Sequence, residues 1–255
     1  MDIIISGANG RMGRMLTETA KAGQAAGKPW NIAARVDISL EKDPAAGTFS
    51  APDQFTGSAD VVIDFSSHAA TKTLTEYCLA RSLPLVVATT GQTGEELELI
   101  RAASAKIPVF LSANMSLGVA LVADLVRRAA LVLPDAEIEI LEHHHDQKLD
   151  VPSGTALLLA SRITEVRPDS PLVVGRHENG RRSPREIGIH SLRYGSEVGT
   201  HEVLFSTGRE TVTLRHKAED RSLFAQGALT AAAFLIGKAP GLYDMRDLVK
   251  QGAAR

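Results

Sequence analysis

The chain has 255 residues, 44% of them apolar and 23% charged, with a formal net charge of -2. That length suits one large domain or two modest ones, of which two is the expectation, and that balance excludes both intrinsic disorder and a polyanion-binding surface. Nucleic acid is thereby set aside as a partner. The single cysteine, Cys78, has no internal disulfide partner and falls in the amphipathic pattern "TLTEYCLARSL", so it reads as a buried thiol in a reducing cytoplasm. No basic segment followed by a long apolar one opens the chain, and the longest apolar runs fall short of the about 20 residues a bilayer requires. Neither a leader nor a membrane span is expected.

The first half alternates short Val- and Ile-rich runs with helical patterns. "DIIIS" (2 to 6), "NIAARVD" (31 to 37), "DVVIDFS" (60 to 66), "PLVVATT" (84 to 90) and "IPVFLS" (107 to 112) are mostly near-continuously apolar, as strands buried on both faces must be. Between them, "GRMLTETAKAGQAAG", "HAATKTLTEYCLARS" and "TGEELELIRAASAK" repeat apolar residues at three- and four-residue spacing with capping residues nearby. This βαβαβ alternation predicts right-handed crossovers and an α/β, doubly wound parallel sheet. Beyond "SANMSLGV" the pattern changes. A helix over about 119 to 132 ends before Pro134, and "AEIEILEHH" then alternates polar and apolar residues. "EIGIHSLRYG", "GTHEVLFST" and "ETVTLRHKA" follow closely, divided by Gly-containing turns. These predict an α+β part with a mixed, largely antiparallel sheet. A last helix, "SLFAQGALTAAAFLIG", precedes "KAPGLYDMRDLVKQ".

"IIISGANGRMGRML" places Gly7, Gly10 and Gly13 in the turn between the first strand and the first helix. Such a turn must reverse tightly, admit a phosphate without a Cβ in the way and offer helix N-terminal N–H groups to negative charge. Asn9 stands where the commoner spacing has its second glycine, and Asn tolerates positive φ better than most residues. Gly7, Asn9, Gly10, Arg11, Met12 and Gly13 are therefore candidates to hold a dinucleotide, a turn of purely structural purpose being the alternative. Asp37, roughly 20 to 30 residues on at the end of the second strand, is placed to accept hydrogen bonds from an adenosine ribose. A carboxylate there disfavours a 2′-phosphate, while Arg11, Arg14 and Arg35 could offset it, so NADH is the favoured cofactor and NADPH the alternative. At the carboxyl ends of the fourth and fifth strands, Ala88, Thr90, Ala113, Asn114 and Met115 are candidates to meet a nicotinamide and its ribose. Asn114 equally suits a helix N-cap, and both roles stand.

A second cluster lies in "EHHHDQKLDVPSGT" (142 to 155). Neighbouring histidines on a strand point to opposite faces, so His143, His144 and His145 do not converge on one ion, and no metal is expected. Pro152, Ser153, Gly154 and Thr155 instead precede an apolar helical run, and such a start offers N–H groups, hydroxyls and a favourable dipole to an anion. Lys148 adds a compact positive charge and a proton; His144 or His145 can donate hydrogen bonds or orient a relay. The set fits a small carboxylate that is protonated during reduction, and a solvated loop with an ordinary cap is the plain alternative.

"GANGRMG", "VVIDFS", "ATTG", "ANMSLGV", "EHHHDQKLDVPSGTA", "GIHSLRYGSEVGTHEVLF" and "GLYDMRDL" together resemble the dihydrodipicolinate reductases of bacterial lysine biosynthesis, from Ile3 to about Lys250. The resemblance implies a Rossmann-type dinucleotide-binding domain of residues 1 to 115 and 221 to 255. It implies an inserted substrate-binding and oligomerisation domain of residues 116 to 220 that assembles a homotetramer, the two hinging together. The implied reaction reduces 4-hydroxy-tetrahydrodipicolinate, a small dicarboxylate, to tetrahydrodipicolinate by hydride transfer from NAD(P)H with loss of water, in the diaminopimelate route to lysine. The family's His-His-x-x-Lys motif falls on His144, His145 and Lys148, which leaves His143 as an extra histidine. By the same resemblance Lys148 is the acid, and His144 donates a proton or tunes Lys148. His145, Ser153, Gly154, Thr155 and Arg221 hold a carboxylate. Ile38 follows Asp37 where the family often has Arg, a departure that weighs toward NADH. Two other classes remain to be distinguished: a nucleotide-sensing module without chemistry, which needs no acid beside an anion cradle, and a nicotinamide enzyme acting on another oxo acid or imine.

Overall fold

A computed structural model describes residues 1–28 and 30–253. In chain order the elements are β1 (Asp2–Ser6), α1 (Arg11–Ala25), β2 (Asn31–Val36), β3 (Thr48–Phe49), β4 (Val61–Asp64), α2 (Thr71–Arg81), β5 (Leu85–Val87), α3 (Gly94–Ser104) and β6 (Pro108–Leu111). There follow α4 (Leu117–Val132), β7 (Glu137–His144), α5 (Gly154–Thr164), β8 (Leu172–Val174), β9 (Ile187–Arg193), β10 (Gly199–Ser206) and β11 (Thr211–Ala218). The chain closes with α6 (Ser222–Leu235), β12 (Gly241–Tyr243) and α7 (Met245–Ala253). Two compact units result: Met1–Ser116 together with the chain from Ser222 onward, and Leu117–Arg221.

The first unit is a seven-stranded sheet in the order β12-β6-β5-β4-β1-β2-β3, and every pairing is parallel. Ile3, Ile4 and Ile5 of β1 and Val61, Val62 and Ile63 of β4 are all fully buried, because helices cover both faces: α1 packs with α6, and α2 with α3. The expected doubly wound architecture is thus present. Cys78 lies wholly inside the α2 face of this core, where burial pushes its thiol upward. β12, read from sequence only as the segment after the last helix, adds a seventh strand parallel to β6. Strand order reverses at β1, whose neighbours are β2 and β4, which makes the carboxyl ends of β1 and β4 the switch point at which such sheets bind ligands.

The second unit is a five-stranded mixed sheet in the order β11-β10-β7-β9-β8. β9 and β10, joined by the "YGSEVG" turn, are not neighbours. β7 stands between them, antiparallel to β10 and parallel to β9, and β8 is parallel to β9. This register sets Ile138 and Ile140 of β7 beside Ile187 and Ile189 of β9, and all four face a core that α4 and α5 complete with Val126, Leu159 and Ile163. Buried Arg167 donates to the carbonyl of Ala130 in the last turn of α4 and to those of Leu133 and Ala136 in the link to β7, tying the helix end to the strand start. Among the described residues no helix is long and apolar enough to cross a membrane.

Candidate active site

In the first unit the turn after β1 is sterically closed. Gly7 has φ +74, and a Cβ on it would lie 2.6 Å from the Cα of Ser66; a Cβ on Gly13 would lie 2.0 Å from the carbonyl oxygen of Gly7. A side chain at Gly13 would drive α1 away from the turn after β1, and one at Gly7 would collide with the backbone of Phe65 and Ser66 after β4. Gly10 is exposed at the N-cap of α1, no side chain caps it, and the first turn has no acid. The α1 N-terminus therefore presents backbone N–H groups and a positive dipole end to an incoming anion.

Asp37 directly follows β2. Its Oδ2 accepts from the backbone N–H of Asn9 (3.1 Å), and its Oδ1 accepts from the N–H (2.9 Å) and hydroxyl (2.7 Å) of Ser39. Burial opposes ionisation, but the bonds from Ser39 and Asn9 and the charge of Arg14 outweigh it, holding this carboxyl below its ordinary value. Asn9 accepts from Arg14 Nη2 (2.7 Å) and donates to Ser39 Oγ (2.8 Å), so the acid is locked to the glycine turn. Arg11 is exposed and Met12 half-buried beside it, Arg35 reaches instead to the Ala46 carbonyl, and Ile38 is 95% exposed.

Of the other nucleotide candidates, Thr90 and Ala113 are exposed and Ala88 is buried, donating its N–H to the Asp64 carbonyl. Met115 is buried, its carbonyl filling the space a Cβ on Gly227 of α6 would need. Asn114 accepts from the Ser116 N–H through Oδ1 (2.9 Å), a turn just ahead of α4. Sequence reasoning passed over Asp64. Its buried carboxylate takes the N–H and hydroxyl of Ser66 and the hydroxyl of Thr89, tying the end of β4 to the chain after β5.

In the second unit the buried face of β7 runs Ile138, Ile140, Glu142, His144. Two chemistry-bearing residues thus end an apolar row. Glu142 is 1% exposed, and four donors reach its carboxylate. His144 Nδ1 (2.5 Å) and Arg193 Nη1 (3.0 Å) meet Oε2; Arg193 Nη2 (2.8 Å) and the Ser153 N–H (3.2 Å) meet Oε1. Burial works against the charge, but the bonds from His144 and Arg193 dominate and hold this carboxyl far below the usual range.

Ser153 is the N-cap of α5, its Oγ accepting from the Ala156 N–H (3.2 Å). Gly154, next in the chain, is exposed with nothing within 4 Å of where its Cβ would stand. That glycine is not demanded by the protein's own packing, and the open space over the helix start suits a bound anion. Thr155 follows, half-buried. His201 of β10 sits behind Ser153, Nε2 to Oγ 3.0 Å, with its ring edge-to-face against His144 at 5.1 Å. Burial first, and then the neighbouring His144, push His201 down to about 3, so it is held neutral.

Lys148 donates from Nζ to Asp150 (2.7 Å), and no hydrogen bond joins it to His144 among the described residues. His145 accepts from Arg221 Nη2 at 3.4 Å, which places that arginine in the second unit with the other carboxylate candidates. His143 points to the opposite face of the sheet, bonding Tyr194 (3.0 Å) and lying 3.9 Å from Glu197. Glu142, His144 and His201 bring ligand-type atoms within 4.8 Å of one another, yet a cation there would have to displace the guanidinium that already spans both Glu142 oxygens. Glu142, Arg193 and His201 were all missed from sequence. The available signal was parity: in "EIEILEHH" Glu142 shares the phase of the buried isoleucines.

A glycine-cleared helix start at the switch of a parallel sheet, with an acid locked to it after β2, is the arrangement by which doubly wound sheets take up a dinucleotide. Joined in one chain to a histidine, lysine and anion cluster, it defines the class of nicotinamide-dependent oxidoreductases. Comparison with known proteins narrows the class. The family described as dihydrodipicolinate reductase, N-terminus, matches residues 1–115, and its C-terminus counterpart matches residues 118–249. A 4-hydroxy-tetrahydrodipicolinate reductase of Caldanaerobacter subterraneus subsp. tengcongensis is 44% identical over 98% of each chain. One from Clostridium tetani is 42% identical over 95% of this chain and 94% of its own. A dipicolinate-bound dihydrodipicolinate reductase from Paenisporosarcina sp. TG-14 superposes with a TM-score of 0.79 at 26% identity, covering 97% of this chain and 99% of that one. A C. glutamicum DAP dehydrogenase, at 13% identity and a TM-score of 0.57 over 97% and 93% of the two chains, shares the fold. The chain belongs to the dihydrodipicolinate reductase family, which is NAD(P)H-dependent.

Proposed function

We propose that this chain reduces 4-hydroxy-tetrahydrodipicolinate to tetrahydrodipicolinate, with loss of the C4 hydroxyl as water, in the diaminopimelate route to lysine. The observation that carries the reading is the buried Glu142 carboxylate, which holds His144 and the Ser153 start of α5 together in a chain 44% identical to a named reductase. A reduced nicotinamide, when bound, supplies the hydride. Gly7, Asn9, Gly10, Arg11, Met12 and Gly13 hold its phosphates, Asp37 its ribose, and Ala88, Thr90, Ala113, Asn114 and Met115 line the nicotinamide end.

Ser153, Gly154, Thr155, His145 and Arg221 bind a substrate carboxylate through helix N–H groups, hydroxyls and positive charge. Lys148 delivers a proton to the carbon or enamine left after hydride addition, and His144 serves that transfer. The sum consumes one hydride and one proton and releases one water. The carboxylate chemistry agrees with the dipicolinate held by the Paenisporosarcina relative.

NADH is the preferred cofactor on this reading, because Asp37 is followed by an exposed Ile38 and not by a guanidinium that would pair with a 2′-phosphate. The chain works in the cytoplasm as a homotetramer. The face of the five-stranded sheet away from α4 and α5, with half-buried Leu141 and Leu204 and exposed Leu192, is the surface for that assembly.

The test mixes purified protein with NADH and the product of dihydrodipicolinate synthase and follows nicotinamide absorbance. Substrate-dependent oxidation supports the reading. Its absence, or equal oxidation with unrelated oxo acids and imines, sinks it in favour of a nucleotide-sensing module or a different dehydrogenase.

A further inference from the structure

We propose that Glu142 is a positioning residue, fixing the His144 ring with its proton on Nδ1 so that Nε2 is the atom turned to chemistry. The inference rests on the reading of this cluster as the substrate site.

An ionised carboxylate only accepts, so the nitrogen 2.5 Å from Glu142 Oε2 must carry a proton. In neutral His144 the lone pair then lies on Nε2, and the tautomer is chosen by the carboxylate. The ring cannot rotate away, because His201 packs edge-to-face on one side and β10 closes another. At Gly199 of β10 a Cβ would come 2.8 Å from Nε2. A side chain there would collide with that nitrogen, so glycine at 199 leaves the ring room to hold this orientation.

Glu142 itself has nowhere to go. Arg193 spans both oxygens and the Ser153 N–H binds one of them, so one carboxylate fixes the proton-handling ring and the first residue of the anion cradle in a single frame. Other groups facing the ring from the surrounding elements are His201, with His216 paired to it across β11, and Lys148 from the loop. None of them accepts a proton from Nδ1.

Glu142→Gln keeps the shape but turns an amide N–H₂ toward at least one of the four donors and removes the charge. The 15N spectrum of histidine-labelled wild-type protein should show His144 protonated on Nδ1, with a far-downfield proton; in E142Q that signal should vanish. Turnover should fall at least about tenfold, with the KM for NADH unchanged. A purely structural role for the Glu142–Arg193 pair would not select a tautomer. Wild-type His144 protonated on Nε2, or E142Q with unchanged tautomer and turnover, would overturn the inference. The wild-type spectrum needs no variant and no substrate, so it decides the question even where E142Q fails to fold. Lack of wild-type turnover would count against the substrate reading alone.

Discussion

The carbonyl oxygen of Gly7 lies 2.0 Å from where a Cβ on Gly13 would be. β1 and α1 therefore meet at backbone distance, and on the proposed reading this contact sets how squarely the α1 N-terminus faces a dinucleotide phosphate. Gly13→Ala must push helix from strand. The expected loss is about 1–3 kcal/mol in urea unfolding, the usual cost of overpacking a tight contact, together with weaker NADH binding in a fluorescence titration. An alanine variant with wild-type midpoint and affinity would show that the turn has slack the geometry denies.

Lys148 carries the proton-donor assignment while its Nζ is paired with Asp150. Half-exposed pairs of this kind are worth about 0–1 kcal/mol, so a substrate carboxylate can draw the lysine away at little cost. Lys148→Ala should lower kcat by about a hundredfold. NADH affinity should stay unchanged, since the nucleotide candidates all lie in the other compact unit. Steady-state kinetics beside a binding titration separate the two, and near-full turnover would move the acid elsewhere.

Local pattern carried much of this molecule. Gly7, Gly10 and Gly13 sit between a run buried on both faces and a helical period, so the first βα unit and its tight turn were legible without any distant contact. The same holds for Ser153, a cap residue directly before an apolar helix. What stayed hidden depends on pairing between remote segments. Arg193 stands 51 residues from Glu142, and His201 stands 48 from Ser153; they meet only because β7 inserts between β9 and β10, an order that sequence adjacency argues against. β3 and β12 were passed over because two or three residues are too few to display a period.

The proposed preference for NADH rests on the stretch after β2. Asp37 is already committed to Asn9 and Ser39, and the next side chain, Ile38, projects into solvent with no partner to lose. Ile38→Arg therefore adds a guanidinium beside Asp37, the proposed ribose acceptor, without disturbing the fold. A pairing with a 2′-phosphate worth about 1.4 kcal/mol would raise the NADPH to NADH ratio of kcat/KM tenfold. An unchanged ratio would place the 2′ position away from residue 38.

Acid should loosen the second unit through His201 before it reaches the carboxylates. In the folded chain this buried ring is pushed down from 6.5 to about 3, so between those values the unfolded chain binds a proton that the native one refuses. Stability then rises with pH across that window and is lost as pH falls through it, by at most about 1.4 kcal/mol per pH unit. Glu142 acts with the same sign lower down: its native carboxyl lies below the ordinary 4.5, so its contribution is present above that value and fades beneath it. His216, also pushed down by burial, keeps part of the upper slope. Urea midpoints measured across this range should fall on acidification, and His201→Gln should flatten the decline between about pH 6.5 and the onset of carboxylate titration. Parallel slopes for the variant and wild type would mean that His201 takes up its proton without unfolding the site, and that burial does not hold the ring neutral.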